Sequence, residues 1–406
     1  MSLSEAELLE DVRQRLFAPV KSANPRAIGL ELELIPVHKA TRTRALAVND
    51  GRASTTEVLS PLGRRGGWRE ESNGGDPPSW TLPDGARISF EPGGQIEIST
   101  APKPTASEVI DSTQSLVKTL RDAMATSGIE LLARGVDPFN NIDAVPLQLR
   151  RDRYAGMTRY FDSIGPSGVQ MMRQTAALQI NLERGEDPKS RWRLLNSLAP
   201  IVVALFANSR QYAGKPTAWA SYRAHLWRTL DPSRTGIVYD EAAPVERYLR
   251  FALDAIAMRG DGPDYRAFRE WIRSPESVQE SIGEPATNRQ DWLFHLSTLF
   301  PEVRPKEFFE LRSADTIEPD MLAAPVVFVT SLVYDDESAH RTAELIGAPS
   351  DKLLERAGRL GLADPEVRRI VSRLVVIALE GARRLGVEYI RRPHLEAAYQ
   401  YFARAL

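Results

Sequence analysis

The sequence predicts an α+β fold in which a mainly antiparallel sheet carries helices on one side. Three observations lead there. Five segments alternate apolar and polar residues with period two, the mark of strands with one buried face. Two of them are joined through Pro92-Gly93-Gly94, a tight bend that makes an antiparallel hairpin. Segments with helical spacing fall between and after the strands, and the last third is mostly helical.

The first strand is AIGLELELIPV, where Ile28, Leu30, Leu32 and Leu34 point one way and Gly29, Glu31 and Glu33 the other. The stretch from Ser60 to Gly85 is dense in glycine, proline and polar residues, and reads as a mobile surface loop or a lid. In ARISFE, Ile88 and Phe90 oppose Arg87, Ser89 and Glu91; in QIEIS, Ile96 and Ile98 oppose Gln95, Glu97 and Ser99. A helix follows, opened by a capping box of Thr105 with Glu108 and closed near Gly128. In ALQINLE, Leu178, Ile180 and Leu182 oppose Gln179, Asn181 and Glu183. VERYLRFALDAIAM, from Val245, has helical spacing. In FFELRS, Phe309 and Leu311 oppose Glu310 and Arg312. Beyond it, Asp364-Pro365 reads as an N-cap followed by proline at the first helical position, and SRLVVIALEGARRL and PHLEAAYQYFARAL are amphipathic helical pieces.

Bulk properties narrow the function. With 42% hydrophobic and 26% charged residues the chain is a folded globular protein. Its 406 residues show no repeat and no long linker, so a single catalytic domain over 1–406 is expected, helical from about 320 onward. Lys plus Arg (52) nearly balance Asp plus Glu (54), which leaves no overall bias toward nucleic acid or an anionic membrane. The absence of cysteine excludes disulfides, thiolate catalysis and Cys-ligated zinc. The first residues lack the basic start and apolar core of a secretory signal, and the richest apolar run, APVVFVTSLVY after Leu322, is too short to span a bilayer, so a cytoplasmic location is expected.

The acids are the unusual feature. Glu31, Glu33, Glu91, Glu97 and Glu310 are all read as lying on strands whose other face is apolar. If the strands share a sheet, the carboxylates converge, and like charges in proximity raise one another's pKa unless something neutralises them. Divalent cations answer that need, and all-oxygen ligation points to magnesium or manganese rather than zinc. Scattered glutamates on a solvated sheet face are the plainer alternative, and Glu310 beside Arg312 is equally a surface ion pair or a ligand next to a phosphate-binding cation. The five histidines have no metal-binding spacing. There is no GxxxxGK[ST] loop and no GxSxG elbow, and neither GRRGGW from Gly63 nor GDGPDY from Gly260 has the setting of a dinucleotide loop. A nucleotide bound here would be held by metals and arginines.

The stretches GLELELIPV, SFEPGGQIEIS, MMRQTAALQINLE, VVALFANSRQYAGKPTAWASYRAHLWRTLDPSRTG and HLSTLFPEVRPKEFFELRSAD resemble the glutamate–cysteine ligases of the plant and proteobacterial type, in the glutamine synthetase-like carboxylate–amine ligase superfamily. The resemblance implies a curved antiparallel sheet forming a funnel lined by acidic metal ligands, matched here by Glu31, Glu33, Glu91, Glu97 and Glu310. It also implies that Gln179 and Asn181 face the funnel, that Arg234 pairs with the α-carboxylate of glutamate with help from Arg223, and that Arg312 meets phosphoryl oxygens. The implied chemistry uses ATP, magnesium, glutamate and an amine, with cysteine first and another amine as the alternative, through an acyl phosphate. Among the acids, Glu97 is expected to be catalytically essential. The redox switch of plant members, which needs cysteine pairs, cannot operate in this chain.

Overall fold

A computed structural model describes residues 3–48, 51–258, 265–272 and 287–406. The glycine segment from Gly260 to Asp264 lies outside them.

Nine strands form the main sheet: β1 (Ile28–His38), β2 (Arg69–Asn73), β3 (Asp76–Thr81), β4 (Arg87–Phe90), β5 (Ile96–Ser99), β6 (Ile129–Leu132), β7 (Ala177–Leu182), β8 (Val303–Pro305) and β9 (Phe309–Asp315). Their order is β8-β9-β7-β1-β5-β4-β3-β2, with β6 paired to the far end of β1, and every pairing is antiparallel. The period-two reading therefore locates real strands. Leu30, Leu32, Leu34, Ile88, Ile96, Ile98, Leu178, Ile180, Leu182 and Leu311 are buried in one continuous core that reaches from Leu8 to Phe402. Helices cover this apolar face, among them Pro188–Leu205, which packs on β9, and Ala323–Tyr334, whose twelve residues are all buried. Among the described residues no helix is long and apolar enough to cross a membrane.

The cap assignments hold in part. Thr105 accepts the Glu108 N–H at 3.1 Å and starts the helix Ala106–Ala125, while the reciprocal Glu108 contact goes to the Thr105 hydroxyl. Asp364 accepts the N–H groups of Glu366 and Val367, each at 3.0 Å, ahead of the helix Pro365–Leu385.

The expected loop from Ser60 to Gly85 is not a loop. It contains the end of a helix, Thr55–Gly66, with Pro61 inside it, and then the hairpin β2–β3. Gly74 and Gly75 both have positive φ and make the hairpin's turn. Trp80 is fully buried beside Phe90, and this burial outweighs the strand-breaking composition around Pro77 and Pro78.

Candidate active site

Strand pairing places the acids. Glu33 lies opposite Glu97 across β1–β5, Glu31 opposite Gln179 across β1–β7, and Glu310 opposite Asn181 across β9–β7. Since side chains alternate along a strand, these residues share the face turned away from the core. That face floors a cavity of about 640 Å³ lined by Glu31, Glu33, Glu91, Glu97, Gln179 and Arg312.

Three carboxylates form its centre. Glu33, Glu91 and Glu97 each offer an oxygen within 4.8 Å of the others. Glu33 accepts the Ala177 N–H at 2.8 Å and Gln179 Nε2 at 3.1 Å; Glu97 accepts the hydroxyls of Ser89 at 3.0 Å and Ser99 at 3.1 Å. Burial, with the charge of Glu97 added, pushes the Glu33 carboxyl up to about 7. Burial with Glu97 and Glu33 holds Glu91 well above its usual value. Glu31, which accepts Asn181 Nδ2 at 3.0 Å, is also pushed up to about 7 by burial and by Glu310 and Glu97. The charges thus oppose one another, and hydrogen bonds alone do not relieve them.

The turn carrying two of these acids is fixed from behind. Glu91 N–H donates to Gln95 O and Gly94 N–H to Glu91 O, at 2.9 and 2.7 Å. The carbonyl of Gly93 accepts both Arg44 Nη1 at 3.1 Å and Gln148 Nε2 at 2.7 Å. Arg44 is itself locked by a fully buried pair with Asp137 at 2.8 Å. A Cβ on Gly93 would stand 2.0 Å from the Arg173 carbonyl oxygen, so only glycine fits.

Glu310 differs from the other four. It is fully buried under Arg304, Lys306 and Arg312 at 2.5, 2.7 and 2.8 Å, and is not among the residues lining the cavity. Burial opposes its charge, but the three cations outweigh that and hold its pKa well below the usual carboxylate range. The expectation of Glu310 as a metal ligand meets a side chain already neutralised by protein. Its evident work is to orient Arg312, whose Nη1 also donates to Gln179 Oε1 and whose guanidinium lies 5.0 Å over Trp227.

The two other arginines are also placed differently from expectation. Arg234 is fully buried, pairs with Asp231 at 2.6 Å, and gives its remaining nitrogens to Thr298 and to the Ile256 carbonyl. Arg223, also buried, donates to the Arg312 carbonyl at 2.8 Å and stacks on Trp227. Neither lines the cavity. The structure brings there instead Arg151, Arg153, Arg304 and Lys306. Arg153 donates to the Ser297 carbonyl at 2.9 Å, and its Nε is buried without a partner among the described residues. Arg304 was within reach of sequence reasoning, because it pairs with Glu310 across β8–β9. Arg151 and Arg153 flank the start of a helix, Asp152–Ile164, where no periodic pattern marks them. Met157, Met171, Met172 and Phe300, which belong to one apolar cluster, also line the cavity and give it an apolar wall.

Comparison with known proteins identifies the family of the chain. Residues 27–404 match the model of Glutamate-cysteine ligase family 2 (GCS2). The glutamate–cysteine ligase EgtA of Mycolicibacterium smegmatis is 32% identical over 311 residues, 74% of this chain and 72% of that protein. EgtA of Mycobacterium tuberculosis is 32% identical over 368 residues, 82% of each. The chloroplastic glutamate–cysteine ligase of Arabidopsis thaliana is 32% identical over 324 residues, 74% of this chain and 60% of that protein. In fold, a solved glutamate–cysteine ligase from Francisella tularensis in complex with AMP superposes with a TM-score of 0.51 at 12% identity, over 96% of this chain and 83% of that one.

Proposed function

The chain belongs to glutamate–cysteine ligase family 2 and is an ATP-dependent carboxylate–amine ligase; from that premise we propose that it joins the γ-carboxylate of L-glutamate to the amine of L-cysteine. ATP transfers its terminal phosphoryl group to the γ-carboxylate, releasing ADP; the amine then attacks the acyl phosphate and phosphate leaves. One observation supports this reading above others. The Glu33–Glu91–Glu97 cluster and the guanidinium groups of Arg153 and Arg312 face one cavity, so anionic substrates and their counter-charges meet in a single place.

The donor set fits magnesium. Its ligand atoms are all carboxylate oxygens, they lie within one coordination shell of one another, and burial with mutual repulsion leaves them short of positive charge. Glu33, Glu91 and Glu97 would hold the ion, with Glu31 beside them, and manganese would substitute. When bound, magnesium neutralises triphosphate oxygens that otherwise repel the attacking carboxylate.

The remaining work belongs to the chain. Arg312, aimed by Glu310 and Gln179, meets the transferred phosphoryl group and offsets the charge that spreads over it. Gln179 and Asn181 hold Glu33 and Glu31 in position. Arg153 takes the substrate α-carboxylate; the resemblance assigns that part to Arg234 and Arg223, which would have to exchange their present partners to reach it. The apolar wall excludes water from the acyl phosphate, which hydrolysis would waste.

The test supplies purified protein with ATP, magnesium and glutamate and a panel of amines, and reads phosphate release and product mass. γ-Glutamylcysteine as the dominant product supports the proposal. Dominance of another amine moves the chain to a different ligase of the same chemistry. Folded protein that releases phosphate with no combination contradicts the reading.

A further inference from the structure

A second cavity, of about 740 Å³, shares no lining residue with the first. Its walls come from the segments 20–26, 185–197 and 333–347. Leu194, Val333 and Ala339 give it apolar lining, and Arg191 lines it too.

Arg191 is held as a rigid plane. Its guanidinium lies 5.2 Å from the centre of the Tyr334 ring, and Nη1 donates to the Glu183 carbonyl at 2.6 Å. Gly185, at φ +72, lies close to the same guanidinium; a Cβ there would stand 2.6 Å from Nη1. Such fixing removes the conformational cost that an arginine ordinarily meets when it binds a ligand.

What this plane lacks is an anion. Arg44, Arg234 and Arg304 each have a carboxylate in contact, Asp137, Asp231 and Glu310 respectively. Arg191 has no carboxylate in contact among the described residues. Asp187 is engaged as a helix cap, accepting the Ser190 N–H at 3.1 Å and hydroxyl at 2.6 Å, and the carboxylates of Glu183, Asp336 and Asp187 act on Arg191 only from a distance. Arg153 and Arg223, discussed above, also have no carboxylate in contact among the described residues; Arg153 faces the substrate cavity, and Arg223 is buried with its Nη2 on the Arg312 carbonyl. Lys21 and Arg26 stand exposed at the rim of the second one.

We propose that this second cavity binds a small organic anion, through a carboxylate or phosphate seated on Arg191 with Lys21 and Arg26 adding charge from the rim. Glu186, Asp187 and Asp336 also line the cavity, so the ligand carries its anionic group at the Arg191 end and not all round. The seat is bonded to the catalytic sheet. Tyr334 accepts the Glu183 N–H at 2.9 Å and donates to the Ala27 carbonyl at 2.6 Å. Those residues adjoin the ends of β7 and β1, the strands that carry Gln179, Asn181, Glu31 and Glu33. The site is independent of which amine the ligase uses.

Calorimetric titration with inorganic phosphate, and separately with glutarate, distinguishes the two headgroups. Each is run on the wild type, on Arg153→Gln and Arg312→Gln to mark binding at the first cavity, on Arg191→Gln, and on Arg26→Gln. Because Arg26 is exposed, its variant keeps the fold intact. The expected result is saturable binding of at least one probe that survives Arg153→Gln and Arg312→Gln, weakens about tenfold or more in Arg191→Gln and weakens less in Arg26→Gln. Binding unchanged in both Arg191→Gln and Arg26→Gln overturns the proposal, as does absence of binding by both probes. If Arg191→Gln melts far below the wild type, the Arg26→Gln isotherm alone decides.

Discussion

Glu97 is the acid that touches the most of the site, since it faces Glu33 across the β1–β5 pairing and lies with Glu91 in the three-carboxylate cluster. Glu97→Gln keeps shape and removes charge. Turnover should fall about a hundredfold or more, because a ligand to the expected cation is lost. Yet the metal-free variant should melt at or above the wild-type temperature, because one of three opposed charges is gone. Activity near wild type would remove Glu97 from the mechanism. A second outcome concerns pH. Glu31 and Glu33 titrate near 7 in the folded chain, against a usual carboxylate value of 4.5. At these two groups the folded protein holds protons that the unfolded chain has released, so their contribution to stability falls as pH rises from about 4.5 to about 7, while buried His295, pushed down to about 3, contributes the opposite trend. Melting in EDTA across that window should show the wild type losing stability relative to Glu33→Gln as pH rises, and magnesium should reverse that loss with release of protons. A wild-type melting temperature that rises with pH relative to Glu33→Gln would refute the assignment. At this scale the sequence was most informative about acids and least about their counter-charges. Glu33 and Glu97 were legible from period two alone. Arg153 was not, because a helix-flanking arginine resembles many on a surface, and only folding turns it inward.

The Glu91–Gln95 hairpin was legible as an element from its Pro-Gly-Gly bend, but its backing was not. Arg44 and Gln148 lie far from the bend in sequence, and their convergence on the Gly93 carbonyl is a tertiary fact. The backing predicts its own failures. Gly93→Ala sets a methyl group against the Arg173 carbonyl and should cost about 1–3 kcal/mol, read as a lower urea midpoint. Arg44→Met leaves Asp137 buried without its cation and should cost about 3–5 kcal/mol. A wild-type midpoint in both variants would show the clamp to be idle. The β2–β3 hairpin escaped sequence reasoning for a different cause. Two prolines and two glycines in eight residues argue for a loop locally, whereas burial of Trp80 against the sheet is decided by the rest of the chain.

Across the whole molecule one core joins the catalytic sheet to the C-terminal helices. The helix Ala323–Tyr334 packs against Pro365–Leu385 and Arg392–Ala405. Removing residues 365–406 would bare much of its apolar surface to water. The truncated chain should aggregate on size exclusion and bind a hydrophobic dye; a monodisperse product with the wild-type melting temperature would show that the core does not extend so far.

The central strand β1 has a consequence for how this chain can change. Within eleven residues it pairs with β5, β6 and β7 at once, so its position is set by three neighbours. One codon inserted between Ile28 and Gly29 would rotate everything after it by half a turn, pointing Glu31 and Glu33 into the helix layer and Leu30, Leu32 and Leu34 toward the substrates. Homologous chains should therefore differ in residue identity along this strand but not in its length, and tolerated insertions should collect at the outer strand Arg69–Asn73, which has a neighbour on one side only.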